Sequence, residues 1–439
     1  MPKGTTLNNP RLEIAESTKS YMAEGIRHVC ETFKKRLPGT QSERDAQAFF
    51  KEELEKITDP SKGDSVIMED FDVHPHAFMG FLLIAGICML GNIACYWLSG
   101  KGSVLATALG VVLALFALLV TVFEFLMYRE FVDFLFPKRV SRNVYAVRKP
   151  AGEVRRRIIF GGHTDVANEW TYSQLGGPLG WIAMGGAVAG LILGLVASIV
   201  RLAFIVQIRL AEAPALEEGM ILKGDAFKLM GGWLILGIAL LCTIPFILAI
   251  MKFINYKVAV DGANDNLSAN YIAMSVLKEM HDAGVRFGNT EVGCLITGAE
   301  EAGLRGAKAF AKKHKEELSD VDTVFISMDT MHEIKEMRVC NFGCTGSVQN
   351  DKAVGALLHE AALACGADIP NGELYPGAVD AEAFSMYGLR STGFTAVRHS
   401  PASYYHTRQD TADNIDEECL ALSLNICKEA ARIFDMKGC

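Results

Sequence analysis

Four long runs of apolar residues interrupt a chain whose remaining sequence is patterned like that of a soluble protein. Each run holds about 20 or more residues with almost no charge, which is enough for a helix to cross a hydrocarbon core of ~30 Å. Buried core helices are the alternative explanation, but they seldom extend this far without polar residues. The sequence therefore predicts four transmembrane helices, at residues 78–98, 104–128, 179–200 and 229–251.

The third run carries glycines at four-residue intervals, Gly186, Gly190 and Gly194. Because residues four apart share one face of a helix, this spacing is typical of a small-residue face on which a neighbouring helix packs closely. Ordinary flexible glycines are an equally acceptable interpretation.

Outside the apolar runs, short apolar strands alternate with amphipathic helices. Strands that alternate with helices of this length are typical of an α/β fold, with a mostly parallel central sheet sandwiched by helices. The predicted helices lie within residues 11–57, interrupted at 37–40, and at 268–281, 304–318, 352–365 and 416–435. The predicted strands include 65–73, 143–147, 157–160, a strand before Asp261, a strand before Glu300, and 323–328.

Each pair of apolar runs forms a hairpin, so the soluble segments before, between and after the hairpins emerge on one side of the membrane. No segment alone contains enough strands for a complete α/β domain. We therefore predict one discontinuous domain, residues 1–77, 129–178 and 252–439, interrupted by transmembrane hairpins at 78–128 and 179–251.

Basic residues flank the four runs unevenly, and the side with the excess is cytoplasmic by the positive-inside rule. The first eight residues lack the apolar core of a signal peptide. Eleven cysteines without a metal-finger spacing indicate free thiols in a reducing compartment. We therefore expect an integral membrane protein whose soluble domain is cytoplasmic. The basic residues on the soluble side include Arg129, Lys138, Arg139, Arg142, Arg148, Lys149, Lys252 and Lys257, against Lys101, Arg209, Lys223 and Lys228 on the other side.

Residues that can bind a metal follow several of the predicted strands. His163 and Asp165 follow the strand 157–160, and Asp265 lies in the loop after another strand. Because the carboxyl ends of parallel strands converge on one crevice, such residues are expected to meet. Two histidines and three carboxylates form a mixed nitrogen and oxygen set suited to zinc or a similar divalent ion. The five candidate ligands are His163, Asp265, Glu301, Asp329 and His406.

The order of these motifs resembles the co-catalytic di-zinc aminopeptidase family, which includes bacterial leucyl-type aminopeptidases and glutamate carboxypeptidase II. The resemblance rests on His163-x-Asp165, on Gly-Ala-Asn-Asp-Asn at 262–266, on Glu-Glu-Ala-Gly-Leu-Arg-Gly at 300–306, on Asp329, and on His406-Thr407. It covers about residues 15–75, 140–170 and 257–435, and it does not cover the four apolar helices.

The resemblance implies two zinc ions. Asp265 would bridge the two ions. His163 and Asp329 would complete one site, and Glu301 and His406 would complete the other.

The resemblance also implies catalytic roles for three further residues. Glu300 would be the general base that takes a proton from a zinc-bound water and passes it to the leaving amine. Asp165 would orient His163 through its second ring nitrogen. Tyr405 would donate to the oxyanion, although a packing role is about equally expected. Asp380 or Glu382 would recognise a substrate amine or cap a helix, and capping is the simpler interpretation.

The predicted function is a membrane-bound zinc exopeptidase, most simply an aminopeptidase, that acts on peptides. The alternatives are a non-enzymatic receptor or scaffold with a peptidase fold, and a single-zinc acyl transferase like the glutaminyl cyclases. The net charge of −8 argues against a nucleic-acid partner.

We also expect the active-site cleft to lie near the lipid bilayer. The second hairpin begins 14 residues after Asp165 and ends 14 residues before Asp265. Even fully extended, these two connections span at most about 50 Å. Short connections therefore join the motifs that contain Asp165 and Asp265 to the same pair of helices, which is why we expect the cleft near the bilayer.

Overall fold

The computed structural model describes residues 4–99, 103–175, 178–217, 225–343, 346–372, 377–398 and 404–439. These residues form two compact units. The first comprises Met1–His76, Phe134–Gln174 and Asn255–Cys439, and the second comprises Ala77–Asp133 and Leu175–Ile254. Lys101 and Lys223, which entered the assignment of the membrane sides, lie outside the described residues.

The strands, in chain order, are β1 (Thr6–Leu7), β2 (Ser65–Val73), β3 (Arg139–Arg148), β4 (Arg156–His163), β5 (Asn168–Trp170), β6 (Ile254–Ala259), β7 (Thr290–Thr297), β8 (Asp322–Met331), β9 (Arg338–Cys340), β10 (Ala367–Asp368), β11 (Asn371–Gly372) and β12 (Arg390–Ala396).

The helices are α1 (Glu16–Thr32), α2 (Gln41–Lys56), α3 (Ala77–Leu98), α4 (Val104–Val120), α5 (Thr171–Leu175), α6 (Leu179–Glu217), α7 (Asp225–Ile250), α8 (Ser268–Asp282), α9 (Arg305–Lys313), α10 (Lys352–Ala364), α11 (Asp380–Met386) and α12 (Glu417–Lys437).

A mixed sheet of eight strands runs through the first unit in the order β11-β9-β12-β8-β4-β7-β3-β2. The neighbours β12, β8, β4 and β7 pair in parallel, as do β11 and β9, and the remaining pairs are antiparallel. The predicted fold class is therefore confirmed. In the register of this sheet, His163 lies opposite Thr297, which places the carboxyl ends of β4 and β7 side by side.

Side chains alternate between the two faces of the sheet along each strand. Helices pack against both faces. On one face, Ile158 and Phe160 of β4 belong to a core that α1, α8, α10 and α12 complete. On the other face, the Tyr145 ring of β3 packs 5.1 Å from the Phe310 ring of α9, measured between centroids. Phe325 of β8 likewise packs 4.2 Å from Phe384 of α11. The central strands are continuous apolar runs because helices bury both of their faces.

Several predicted boundaries in the first unit are wrong. The strand predicted to begin at 143 begins at Arg139, and the strand predicted to end at 160 continues to His163. The helix predicted at 304–318 ends at Lys313, where the N–H of His314 donates to Phe310 O and a separate 3₁₀ turn follows at Glu317–Ser319. The strand predicted to stop before Asp329 continues to Met331, because its pairing with β12 continues past the acid. Asp329 therefore lies within a strand.

The second unit contains four helical spans, among the described residues, that are long and apolar enough to cross a membrane. They are Ala77–Leu98, Val104–Leu126, Leu179–Gln207 and Trp233–Ile250.

Glycines of α6 pack against neighbouring helices within this unit. A β-carbon at Gly186 would lie 2.3 Å from the Phe246 ring, and one at Gly194 would lie 2.6 Å from Asn92 Oδ1. These distances are too short for any larger residue, so the prediction of a small-residue packing face is confirmed. Asn92 also joins three helices, since its amide donates to Gly110 O at 2.8 Å and to Ser198 Oγ at 2.7 Å.

Candidate metal centre

All five predicted ligands lie at one edge of the central sheet. His163 is the last residue of β4, and Asp329 lies near the carboxyl end of the neighbouring β8. Glu301 follows β7 in a turn, Asp265 follows β6, and His406 lies in the segment before α12. The chain is locally strained here: Ala299, Thr330 and His406 adopt positive φ values of 52°, 49° and 51°. Non-glycine residues in this region cluster at functional sites, because the surrounding structure must hold them there.

His163, Asp265 and Asp329 form one half of the centre, which we call the strand-borne half. Asp265 Oδ1 lies 3.2 Å from His163 Nε2, and Asp329 Oδ2 lies 3.7 Å from the same nitrogen. All three side chains are at least 95% buried. One imidazole nitrogen and two carboxylate oxygens therefore converge.

His406 and Glu301 form the other half with the second oxygen of Asp265, and we call it the loop-borne half. His406 Nε2 lies 3.0 Å from Asp265 Oδ2 and 3.2 Å from Glu301 Oε1. Both oxygens are buried, and among the described residues neither is aligned with a hydrogen-bond donor. Buried carboxylate oxygens without donors are costly, and a metal ion is one group that satisfies them.

The two halves meet at Asp265, whose two oxygens face different histidines. Ligand atoms of His163, Asp265 and Glu301 all lie within 4.8 Å of one another. Histidine nitrogen and carboxylate oxygen are the ligands that zinc accepts in catalytic sites. The residues present thus fit a divalent metal ion.

Burial and mutual charge shift the pKa values of these groups in directions that favour a bound cation. Burial alone would lower the pKa of His406, but Glu301 and Asp265 raise it to about 10. The pKa of His163 is likewise raised well above its ordinary value, against the effect of burial, with Glu300 as the main carboxylate. Without metal, protonated histidines balance the clustered carboxylates. A metal ion would take over that role as the histidines release their protons.

Glu300 lies beside the strand-borne half. Its Oε2 is 3.8 Å from His163 Nε2, and the residue is 9% exposed. Burial raises its pKa well above the usual range, and the neighbouring charge of Glu301 raises it further. A carboxylate with a raised pKa is suited to accept a proton and then return it.

Asp165 contacts the second ring nitrogen of His163 more closely with its backbone oxygen than with its side chain. The ring nitrogen Nδ1 of His163 lies 3.1 Å from the backbone oxygen of Asp165 and 3.6 Å from its carboxylate. The carboxylate instead accepts the backbone N–H groups of Glu300 and Glu301, both at 3.0 Å. The side chain of Asp165 therefore fixes the turn that carries the two glutamates, while its backbone orients His163.

Tyr405 is buried against the loop-borne half. Its ring centroid lies 4.2 Å from that of His406 and 5.6 Å from that of Trp170. This packing is the local reason for an aromatic residue at position 405.

Asp380 and Glu382, at the start of α11, have different partners. Glu382 caps the helix, since its Oε2 accepts the N–H of Val379 at 2.7 Å. Asp380 does not cap it: the Thr297 hydroxyl donates to one of its oxygens, and the other has no hydrogen-bond partner in the part of the chain that the structure describes. The capping interpretation is correct for Glu382 and wrong for Asp380.

The sequence analysis did not identify two supporting residues, Asp410 and Arg36. Asp410 accepts the backbone N–H groups of Asn264 at 2.8 Å and Asp265 at 3.1 Å. Arg36 is 1% exposed and donates to Thr164 O at 3.0 Å and to Asp261 O at 2.7 Å, which ties the two ligand loops together. The only sequence signal for Asp410 was an acid four residues after His406, and nothing marked Arg36.

Comparisons with known proteins agree with this fold. Residues 251–431 match the sequence profile of peptidase family M28, a region that includes four of the five candidate ligands but not His163. No curated protein sequence matches the chain.

Solved structures with a similar fold include both aminopeptidases and glutaminyl cyclases. An aminopeptidase from Aneurinibacillus sp. strain AM-1 aligns with a TM-score of 0.52 and 13% identity, over 97% of this chain and 94% of that chain. A leucine aminopeptidase precursor from Bacteroides thetaiotaomicron gives 0.51 and 10%, over 97% and 98%. A glutaminyl cyclase from Fimbriiglobus ruber gives 0.51 and 11%, over 97% and 98%. Sequence identities this low support a shared fold and nothing more. The profile match over residues 251–431 and the shared fold together confirm the resemblance to the zinc aminopeptidases.

Proposed function

We propose that the protein is a membrane-bound zinc exopeptidase that removes N-terminal residues from peptides, with two zinc ions at the centre. The observation that supports it most is the shared carboxylate of Asp265, which faces His163 with one oxygen and His406 with the other. A carboxylate placed between two histidine-containing ligand sets can serve two metal ions at once, which suits a two-metal hydrolase.

The chain's own residues have separate tasks in this proposal. Zinc would polarise the scissile carbonyl and lower the pKa of a water molecule. Glu300 accepts a proton from the attacking water and delivers it to the leaving amine, a role that its buried, high-pKa carboxyl supports. Asp165 fixes the positions of Glu300 and Glu301 by accepting hydrogen bonds from both of their backbone N–H groups. Tyr405, next to His406, is a candidate donor to the developing oxyanion.

The four apolar helices support a lipid bilayer as the chain's second partner, besides a peptide substrate. The excess of basic residues next to the first unit supports a cytoplasmic position for that unit. A nucleic-acid partner does not fit the net charge of −8.

Glutaminyl cyclisation with one zinc ion is the second candidate. Two observations favour it: glutaminyl cyclases share the fold, and one group of three ligands, His163, Asp265 and Glu301, comes within 4.8 Å. A receptor without activity is less well supported, since all five ligand residues and Glu300 are present.

Metal counting and peptide digestion together test the proposal. The purified protein in nanodiscs is loaded with zinc, counted by elemental analysis, and incubated with peptides whose N-termini are free or acetylated. Two zinc ions per chain and stepwise loss of N-terminal residues from free peptides only are expected, with Glu300→Gln as the inactive control. One zinc ion per chain with ring closure of N-terminal glutamine would favour the cyclase. Cleavage of neither peptide set, with zinc bound, would contradict an exopeptidase.

A further inference from the structure

The second apolar hairpin is joined to the first unit through two short strands that pair with each other. β5 ends at Trp170, shortly before α6, and β6 begins at Ile254, shortly after α7. We call this two-stranded sheet the β5–β6 ribbon. Asp165 precedes it by a few residues and Asp265 follows it, so the ribbon lies between two parts of the metal centre in the sequence.

Glu169 on this ribbon binds the segment that carries His406. Its two carboxylate oxygens accept from Nε and Nη2 of Arg408, both at 2.6 Å. Asn255 of β6 donates to the same carboxylate at 2.9 Å, and Glu169 is 1% exposed. A bidentate pair between a buried carboxylate and a guanidinium fixes both distance and orientation. The ribbon is therefore tied to a residue two positions after His406.

Trp170, the next residue on the ribbon, contacts His406 itself. Its backbone N–H donates to His406 O at 2.9 Å. Its ring meets the imidazole nearly edge-on, at 68° and 4.3 Å between centroids. His406 adopts a positive φ of 51°, a conformation that a histidine keeps only when outside contacts hold it. Trp170 supplies such contacts to both the backbone and the ring.

We propose that the β5–β6 ribbon positions His406 for metal binding, with Glu169 and Trp170 as positioning residues. The ribbon thereby sets the affinity of the loop-borne half, whereas His163 and Asp329 of the strand-borne half are held by β4 and β8. This inference rests on the proposed function only in that a metal ion binds His406. Neither residue is a ligand: each acts through the backbone, the ring or a neighbour of His406.

The test compares Glu169→Gln and Trp170→Phe with Arg390→Gln. Arg390 is a matched control, because it pairs with Asp351 at 2.8 Å and Asp322 away from the metal centre. Zinc affinity of the intact protein in nanodiscs is titrated against a competing chelator. Loss of an outer partner of a metal ligand typically lowers affinity by about 10–100-fold. We expect a loss of that size for one ion in Glu169→Gln, a smaller loss in Trp170→Phe, and none in Arg390→Gln.

A second measurement needs neither metal nor turnover. Diethyl pyrocarbonate labelling of metal-free protein, read by mass spectrometry, reports whether His406 has left its buried position. Faster labelling of His406, with unchanged labelling of His163, is expected in Glu169→Gln. Unchanged affinity and labelling would overturn the proposal, and so would equal changes at both histidines, which would indicate general loosening. Failure of the proposed peptidase activity would leave this labelling result intact, so the two ideas fail separately.

Discussion

The two halves of the metal centre rest on different kinds of structure. His163 and Asp329 lie on β4 and β8, two central strands that pair with each other along most of their length. Glu301 and His406 lie in a turn and a loop, with backbone positions fixed by contacts from other elements. Strand residues inherit their positions from the ladder of the sheet. The loop-borne half depends on a few specific partners, chiefly Asp165, Glu169 and Trp170.

The difference implies that the identity of the ligands is not sufficient to form such a centre. A loop residue binds metal well only if its supporting contacts are in place, and these contacts come from parts of the chain that carry no ligand. The following predictions separate the two halves, from the largest expected effect to the smallest.

Asp265→Ala should have the largest effect, because Asp265 belongs to both halves. We expect both metal ions to be lost and activity to fall by more than the about 10²–10⁴-fold that removal of a general base costs. Elemental analysis and turnover measurements check this, with the exposed Asp72→Ala as the control. Retention of one ion at full occupancy would show that the halves do not share this carboxylate.

Glu300→Gln should remove turnover and leave both halves loaded. In the proposed function Glu300 handles the proton rather than the metal, so kcat should fall by about 10²–10⁴-fold with unchanged zinc content. A rate near that of the unaltered protein would exclude Glu300 as the base.

His406→Ala and His163→Ala should each weaken a different ion. Each variant removes one imidazole from one half, so the expected loss of affinity exceeds the about 10–100-fold of an outer partner but affects one site. Chelator titration that resolves two sites is the measurement. If either variant weakened both sites equally, the division into halves would be wrong.

Glu43→Gln should produce the smallest effect, a change in how stability varies with pH. Glu43 holds the turn of the loop-borne half, since its carboxylate accepts the N–H of Ala299 at 2.9 Å. Burial, and then the charge of Asp165, raise its pKa to about 8, against about 4.3 in the unfolded chain. The proton is therefore bound more tightly in the folded state. The stability it contributes is fully present below about pH 4.3 and is lost as pH rises to about 8.

Thermal unfolding of metal-free protein across this pH range measures that effect. The unaltered protein should lose stability relative to Glu43→Gln as pH rises from about 5 to 8. Parallel curves for the two proteins would contradict the shifted pKa.

The sequence predicted the fold class and the order of the motifs because both follow from periodicity and local spacing. The buried strands and the apolar helices produce patterns that a single chain displays. Asp329 was identified although the end of its strand was misplaced, since pairing with β12 extends the strand and no local signal reports it.

The supporting contacts were not predictable in the same way. Arg36 reaches two loops that lie more than a hundred residues away, and its neighbours in sequence resemble an ordinary helix end. The pairing of Glu169 with Arg408 joins residues 239 positions apart. Such contacts depend on tertiary structure, and sequence spacing contains no trace of them.

The place of the second hairpin in the chain has a consequence for biosynthesis. His163 and Asp165 leave the ribosome before the hairpin, and Asp265, Glu301, Asp329 and His406 leave after it. Domains form during synthesis from the N-terminus onward. A nascent chain halted within the hairpin therefore holds one histidine and one aspartate of the centre, and cannot assemble either half. Binding of a metal ion by either half would therefore have to follow synthesis of both helices that are candidates to enter the bilayer.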